Sequence, residues 1–280
     1  MTRSGWIWLL SAVGVVGAGA LALWSGEASA AEPSPTPSGD GDDLDFGLPP
    51  LPTAADVQGD LTRNWGDTPV DLRALFMKIE EASRIAGSAR VFATIAFRES
   101  AFVTRAHNGD APKEQPERDA SRRAYESNKG HNPPLRYGEQ AADFGSGGLF
   151  GLLAPYFLWT GVPEVGAKAP LLNAPPEIMF EPRAAAFGAA VYMQRILKNY
   201  RVDDIYDVKA GWASPSLLGK GRGGPTYKAA RARFLDDSRK LGIDLEDRGT
   251  IPAKLDVKAW PGVLAVFEAL CGKTAAKEVA

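Results

Sequence analysis

The sequence has little of the chemistry that disulfides, thiol catalysis and zinc sites require. Cys271 is the only cysteine among 280 residues, so no disulfide can form within the chain, and its separation from both histidines argues against a cysteine nucleophile. The histidines, His107 and His131, fall in a polar stretch without metal-ligand spacing, and we predict that both lie on the surface. We therefore expect no metal or organic cofactor, and a fold held by core packing.

After its first 30 residues the sequence contains no apolar run long enough to span a bilayer. Arg3 precedes an uncharged stretch over 5–26, and Ala28-Ser29-Ala30-Ala31 follows. This order is typical of a secretory signal peptide cleaved after Ala30, although the length of the run also fits an uncleaved membrane anchor. Both alternatives predict an exported protein, periplasmic or associated with the cell envelope, whose only membrane contact is through residues 1–30.

Lys and Arg are missing altogether from residues 31–60, which carry seven Asp and Glu among Pro, Ser and Gly. With the residues up to 66, this composition predicts a flexible acidic linker. Residues 61–280 carry 31 Lys and Arg against 26 Asp and Glu, a net charge of +5. Such a mildly basic domain suits a polyanionic substrate but is too weakly charged to indicate nucleic acid.

Helical patterns dominate residues 67–245, so we predict a mainly α domain. Thr68-Pro69 has the features of a helix start, with Thr68 as N-cap, and Gly87 ends the helix. Its apolar stripe comprises Leu72, Leu75, Phe76, Ile79, Ala82 and Ala86. Further patterns predict helices over 180–200, 203–212, 225–241 and 261–270, the last within a C-terminal helical appendage, 246–280.

A short apolar helix over 90–100 ends in a carboxylate, Glu99. Ser88 is its predicted N-cap, and residues 91, 92, 95 and 96 are apolar at helical spacing, so we expect this helix to be buried. Partial desolvation at the end of such a helix favours the protonated carboxyl that a general acid requires. The alternative is a carboxylate paired with Arg98 or Arg105 at a helix end.

The pattern breaks over residues 103–144, which are polar and apolar-poor, with one possible helix over 117–128. We predict a long surface insertion, of the kind that forms lids or binding loops. A glycine-rich stretch, 145–153, follows. No apolar strand precedes it and no Gly-Lys-Ser/Thr ends it, so a phosphate loop is disfavoured, and we expect its glycines to admit close backbone approach.

The order of these pieces resembles the catalytic domain of the lytic transglycosylases, within the goose-type lysozyme-like superfamily. The resemblance covers about residues 70–242. It rests on four segments in order: Glu99-Ser100, Gly148-Leu149-Phe150-Gly151-Leu152-Leu153, Glu181-Pro182 with Phe187-Gly188-Ala189-Ala190-Val191-Tyr192, and Gly211-Trp212-Ala213 before the helix of Tyr227. It implies a lysozyme-like helical fold with the insertion as a long loop.

This sequence departs from the family pattern at several positions. Gly151 stands where the family has Gln, and Phe150 where it has Met. Trp212 and Ala213 replace the family's Tyr and Asn, although the indole N–H of Trp212 could donate near Glu99. With the long insertion, these departures look closer to phage- or prophage-associated members.

The resemblance implies that Glu99 is the catalytic acid and then the base in cleaving peptidoglycan glycan strands, with no cofactor. Ser100 is expected either to hydrogen-bond Glu99 or to cap its helix. Core packing is the alternative for each aromatic side chain. The expected substrate-binding residues are Ser100, Gly148, Leu149, Phe150, Gly151, Tyr192, Trp212 and Tyr227.

We expect the protein to be a monomer. Two other functions stay open. A hydrolytic muramidase would need a second carboxylate, for which Asp110 and Asp143 of the insertion are candidates. A non-catalytic wall-binding module could keep the fold without the family's Gln and Tyr. A buried Glu99 without a catalytic role would lower the stability of the fold, which argues against the wall-binding module.

Overall fold

The computed structural model describes residues 46–108, 115–246, 251 and 257–273. The predicted leader, 1–30, and residues 31–45 of the predicted linker lie outside these ranges. Within them the protein is mainly helical, as predicted. No helix in this part of the chain combines the length and apolarity needed to cross a bilayer.

The helices alternate with short 3-10 turns and one small sheet. The α-helices are α1 Val70–Ser83, α2 Ala89–Ser100, α3 Gln115–Asn128, α4 Gly138–Phe144, α5 Ala154–Leu158, α6 Val162–Val165, α7 Pro182–Asn199, α8 Asp207–Ala213, α9 Pro225–Leu241 and α10 Val263–Cys271. The strands are β1 His107–Asn108, β2 Ser146–Gly147 and β3 Leu152–Leu153. They pair antiparallel in the order β1-β2-β3.

The first helix, α1, packs on α7 and α2 through the predicted apolar stripe, and α2 packs on α9, but the boundaries of α1 differ from those expected. Pro69 rather than Thr68 is the N-cap of α1, and the helix ends at Arg84, whose φ is 55°. Because the chain turns there instead of at Gly87, Ala86 is exposed and Ile85 is buried.

Ser88 does precede α2, but its hydroxyl does not cap the helix. The Glu80 carboxylate takes that role by accepting hydrogen bonds from the backbone N–H of Gly87 at 3.0 Å and of Ala89 at 2.8 Å. A carboxylate is well suited to this position because it also faces the positive end of the helix dipole. The contact fixes α2 against α1.

The insertion contains two packed helices rather than a long loop. The helix predicted over 117–128 is confirmed as α3, and α4 follows it. Ser121 donates from Oγ to the carbonyl of Ala141 at 2.8 Å, and Ala120 and Ala124 are buried at the contact. The polar composition of the insertion does not indicate this packing, because the two helices meet through small alanines that add little to its apolar content.

Residues 46–66 are not a flexible linker. Trp65 is 1% exposed in the core, and the Arg90 guanidinium stacks on its ring at 4.5 Å. Arg90 also donates to the carbonyls of Asp60, Arg63 and Asn64. These bonds attach the segment to α2.

The C-terminal helix is part of the same core and not an appendage. Phe267 of α10 packs edge-on against Phe187 of α7 with ring centroids 5.0 Å apart. Leu270 and Cys271 are fully buried, and burial raises the pKa of the Cys271 thiol to about 12. The thiol is thus held in its protonated form, which agrees with the prediction that it is not a nucleophile.

Candidate active site

Glu99 lies in the last turn of α2, where the apolar helix reaches the surface. Ala93, Ile95 and Ala96 are fully buried beneath it, as the sequence predicts, and the Glu99 side chain is 12% exposed. Ala101 then ends the helix in the left-handed conformation, with φ of 49°. The carboxylate is therefore placed at a fixed point at the edge of the core.

The partner of Glu99 is Lys209 of α8, which the sequence analysis did not single out. Lys209 Nζ donates to Glu99 Oε1, and the lysine side chain is only 9% exposed. Glu99 does form an ion pair, as the alternative predicted, but its partner is a lysine and not a nearby arginine. Arg98 pairs with Asp237 instead. The carboxyl group is thus held by an ammonium group as well as bordered by apolar side chains, an environment that the general-acid prediction did not include.

The glycine turn after β2 lies directly against Glu99. At Gly151, whose φ is 59°, a Cβ would lie 3.1 Å from Glu99 Oε2 and 3.2 Å from Glu99 Cβ. At Gly148 a Cβ would lie 2.2 Å from the carbonyl oxygen of Met179. The expectation that these glycines admit close backbone approach is therefore met, and Gly151 brings the chain beside the carboxylate.

Ser100 joins the helix to this turn. Its Oγ lies 2.9 Å from the carbonyl oxygen of Ala96 and 3.0 Å from that of Leu149, so one hydroxyl hydrogen is shared between them. It serves neither of the two roles predicted for it. The side chains of Leu149 and Phe150 are 0% and 1% exposed, so they pack in the core and offer no surface to a ligand.

The small sheet fixes the other side of the turn. Gly148 donates from its backbone N–H to the carbonyl of Ala106 at 2.8 Å, beside the pairing of β1 with β2. His107 is half-buried there, with its ring 4.2 Å from that of Phe144 and its Nε2 2.7 Å from the Phe144 carbonyl oxygen. The prediction that His107 is a surface residue is wrong; His131 is exposed, as expected.

Trp212 is a core residue and not a sugar platform. Its side chain is 6% exposed and packs edge-on against Phe92 and Tyr192. Its indole N–H donates to the carbonyl of Phe150 at 3.2 Å, so this donor is not directed at Glu99. The bond instead holds α8 against the glycine turn.

Tyr227 also follows its core-packing alternative. It is 7% exposed, and its hydroxyl donates to Asp207, a fully buried carboxylate that also pairs with Arg222 and Arg231. Asp203 donates to the same carboxylate from its backbone N–H at 2.8 Å. Helix α8 begins at Asp207 and not at residue 203, where the sequence predicted its start. This polar cluster anchors the helix that carries Lys209.

Tyr192 is the predicted aromatic side chain that lies near Glu99. Its hydroxyl is 3.3 Å from the carbonyl oxygen of Trp212, and its side chain is partly buried. Burial raises the pKa of the Tyr192 phenol, and the nearby Tyr156, Tyr200 and Glu99 raise it further. Tyr192 therefore stays protonated, and its hydroxyl hydrogen is directed at the backbone of α8.

A second carboxylate lies behind the pair. Asp237 of α9 is 4% exposed, and its Oδ2 is 3.7 Å from Arg98 Nε. Burial raises the pKa of Asp237, while Arg98 and then Lys209 act in the opposite direction. The sequence analysis did not single out Asp237, since charged residues are common on α9.

The two carboxylates proposed for hydrolysis fare differently. Asp143 is 67% exposed and pairs with Arg122 at 2.5 Å, on the outer side of the insertion. Asp110 lies outside the described residues. Across the part of the chain that the structure describes, no three His, Cys, Asp or Glu residues are grouped as metal ligands would be.

Comparison with protein-family models, curated proteins and solved structures finds nothing that matches this chain. The arrangement around Glu99 and the order of the sequence motifs are therefore the support for a functional proposal. Three helices and one turn contribute to that arrangement: α2, α7, α8 and the turn at Gly151.

Proposed function

We propose that the protein is a peptidoglycan lytic transglycosylase that cleaves the β-1,4 bond from N-acetylmuramic acid to N-acetylglucosamine. The observation that carries the proposal is the position of Glu99. Its carboxyl group sits at the end of a buried helix, 12% exposed, with the backbone of Gly151 against it. The lysozyme-like fold and the exported location belong to the same proposal and rest on the sequence resemblance.

The chemistry requires one group that gives up a proton and then takes one back. Protonated Glu99 donates its proton to the glycosidic oxygen as the bond to C1 of the muramoyl sugar breaks and an oxocarbenium-like state develops. The ionised Glu99 then accepts the proton of the C6 hydroxyl while that oxygen attacks C1. A 1,6-anhydro ring closes, Glu99 is protonated again, and no water is consumed.

The low exposure of Glu99 supports this use of one carboxyl for both steps. A carboxyl group with little access to solvent passes its proton to a bound substrate with less loss to water than a fully hydrated one. Tyr192 stays neutral near this carboxyl group, while its hydroxyl donates to the backbone carbonyl of Trp212. Gly151 leaves space where a larger side chain would cover Oε2.

The ion pair with Lys209 favours a second candidate, a non-catalytic wall-binding module. A carboxylate held by an ammonium group is satisfied as a structural link between α2 and α8. Such a link would keep Glu99 in the fold without any turnover. In this case the protein would bind glycan strands but leave them intact.

The test is mass spectrometry of purified peptidoglycan incubated with the wild-type protein or with Glu99→Gln. We expect the wild type to release muropeptides that are one water lighter than hydrolytic products, and Glu99→Gln to release none. Glu139→Gln is the matched control, because Glu139 is 69% exposed in a surface pair with Arg122 and should not affect turnover.

The other outcomes separate the alternatives. Hydrated reducing ends would identify a muramidase and refute anhydro-ring formation. Absence of products, with the protein still sedimenting with insoluble peptidoglycan, would refute catalysis and support the binding module. Equal product formation by Glu99→Gln would refute the role of Glu99.

A further inference from the structure

Lys209 is an unusual residue for its location. It is the only charged side chain between Val208 and Ala213, and Ala210 and Trp212 in the same stretch are buried. The lysine side chain is itself only 9% exposed. A lysine is rarely buried without a partner, because desolvating its ammonium is costly. Its partner is Glu99, 110 residues earlier in the sequence.

The surroundings leave Lys209 as the cation closest to the Glu99 carboxylate. Among the described residues, the other titratable or charged groups near the pair include Tyr192 on α7, which stays neutral, Asp237 on α9, and Arg98 on α2. Arg98 pairs with Asp237, with its Nε 3.7 Å from Asp237 Oδ2. The charge that acts directly on Glu99 is therefore that of Lys209.

The helix that carries Lys209 is held in place independently of Glu99. Asp207, two residues earlier, is fixed by Arg222, Arg231 and the hydroxyl of Tyr227. Trp212, three residues later, is bonded to the carbonyl of Phe150. Because both ends of α8 are anchored, Lys209 has a defined position and can fix the rotamer of Glu99 in turn.

We infer that Lys209 is a positioning residue for Glu99, whose ammonium group holds the carboxylate in the orientation needed for proton transfer. This inference rests on the proposed function. The hydrogen bond from Lys209 Nζ to Glu99 Oε1 restricts the rotamers of the glutamate and leaves Oε2 facing the turn at Gly151. The same cation stabilises the ionised Glu99 formed between the two proton transfers.

The experiment measures kcat and KM separately on purified peptidoglycan for the wild type, Lys209→Met and Lys209→Arg. In Lys209→Met we expect kcat to fall by about tenfold while KM changes little, because a carboxyl group that is no longer held in place transfers its proton less efficiently. Lys209→Arg keeps a positively charged hydrogen-bond donor and should restore most of kcat.

A matched control and a substrate-free readout complete the design. Lys240→Met removes a lysine whose pair with Asp236 is largely exposed, so its kcat and KM should equal those of the wild type. Without substrate, the carboxyl carbon-13 NMR signal that Glu99→Gln removes should change its chemical shift in Lys209→Met and keep it in Lys240→Met. This readout does not depend on turnover, and circular dichroism checks that each variant is folded.

The inference and the proposed function fail on different results. An unchanged kcat in Lys209→Met, with the wild type active and Glu99→Gln inactive, would overturn the inference and leave the proposed function standing. An inactive wild type would overturn the proposed function, and a changed NMR chemical shift in Lys209→Met would then establish the ion pair alone. An unchanged NMR chemical shift would refute the ion pair itself.

Discussion

Replacing Gly151 with alanine tests the contact between the glycine turn and the proposed catalytic carboxyl. Gly151 has a φ of 59°, a conformation that costs an alanine about 1–2 kcal/mol. The new Cβ would also lie 3.1 Å from Glu99 Oε2 and 3.2 Å from Glu99 Cβ, tighter than ordinary contact. The Glu99 side chain would have to shift, and a displacement of this kind disturbs a proton transfer that depends on geometry.

Gly223 provides the matched control. Its φ is also positive, 81°, but a Cβ there would meet no heavy atom within 4 Å. Urea unfolding should show that Gly151→Ala and Gly223→Ala each lose about 1–2 kcal/mol of stability. Muropeptide release should fall at least tenfold in Gly151→Ala alone, because about 1.4 kcal/mol of misalignment already has that effect. Equal turnover by the two variants would refute the placement of the turn against Glu99.

Two further predictions concern buried polar groups beside the site. Trp212→Phe should lower the free energy of unfolding by about 1–3 kcal/mol, because it leaves the buried carbonyl of Phe150 without its donor; urea unfolding at neutral pH measures this, and an unchanged stability would refute the bond. Asp237→Asn should make the pH dependence of stability more positive between pH 4 and pH 7. Burial raises the pKa of the Asp237 carboxyl in the folded state, so the folded protein binds this proton more tightly than the unfolded chain does. The wild type therefore loses stability as pH rises above the pKa of the unfolded chain, and Asp237→Asn removes that loss. A slope equal to that of the wild type would contradict this.

The apolar periodicity of the sequence was sufficient to predict where most helices lie. In α9, Pro225 opens the helix as expected, and Tyr227, Ala230, Phe234 and Leu241 all face the core. The predicted burial of α2 beneath Glu99 is confirmed for the same reason. These features depend on residues three and four apart in one helix, which a sequence pattern displays directly.

The errors arise where the structure depends on long-range contacts. Residues 46–66 look like a linker by composition, yet Arg90 binds three of their carbonyl groups. The salt bridge of Glu99 with Lys209 joins residues from two helices, and no local pattern specifies that pairing. Trp212 was predicted at a sugar site because of its motif, but its burial is decided by Phe92 and Phe150 from other segments.

A lone lysine within an apolar helix was, however, a usable signal. Lys209 follows Val208 and precedes Ala210 in a segment whose other side chains bury readily. Such a charge requires a partner, and the carboxylate at the end of another apolar helix is a suitable one. A single lysine in one apolar helix and a carboxylate at the end of another are therefore the signal that the sequence carries for this pair.

The most direct test of the central claim is digestion of peptidoglycan in water labelled with heavy oxygen, followed by mass spectrometry of the released muropeptides. The account predicts that wild-type products carry no heavy oxygen at C1, since the C6 hydroxyl of the same sugar closes the ring, and that Glu99→Gln releases no products. Heavy oxygen at the new reducing ends would contradict the transglycosylase reaction. Unlabelled anhydro products from Glu99→Gln would contradict the assignment of Glu99 as acid and base.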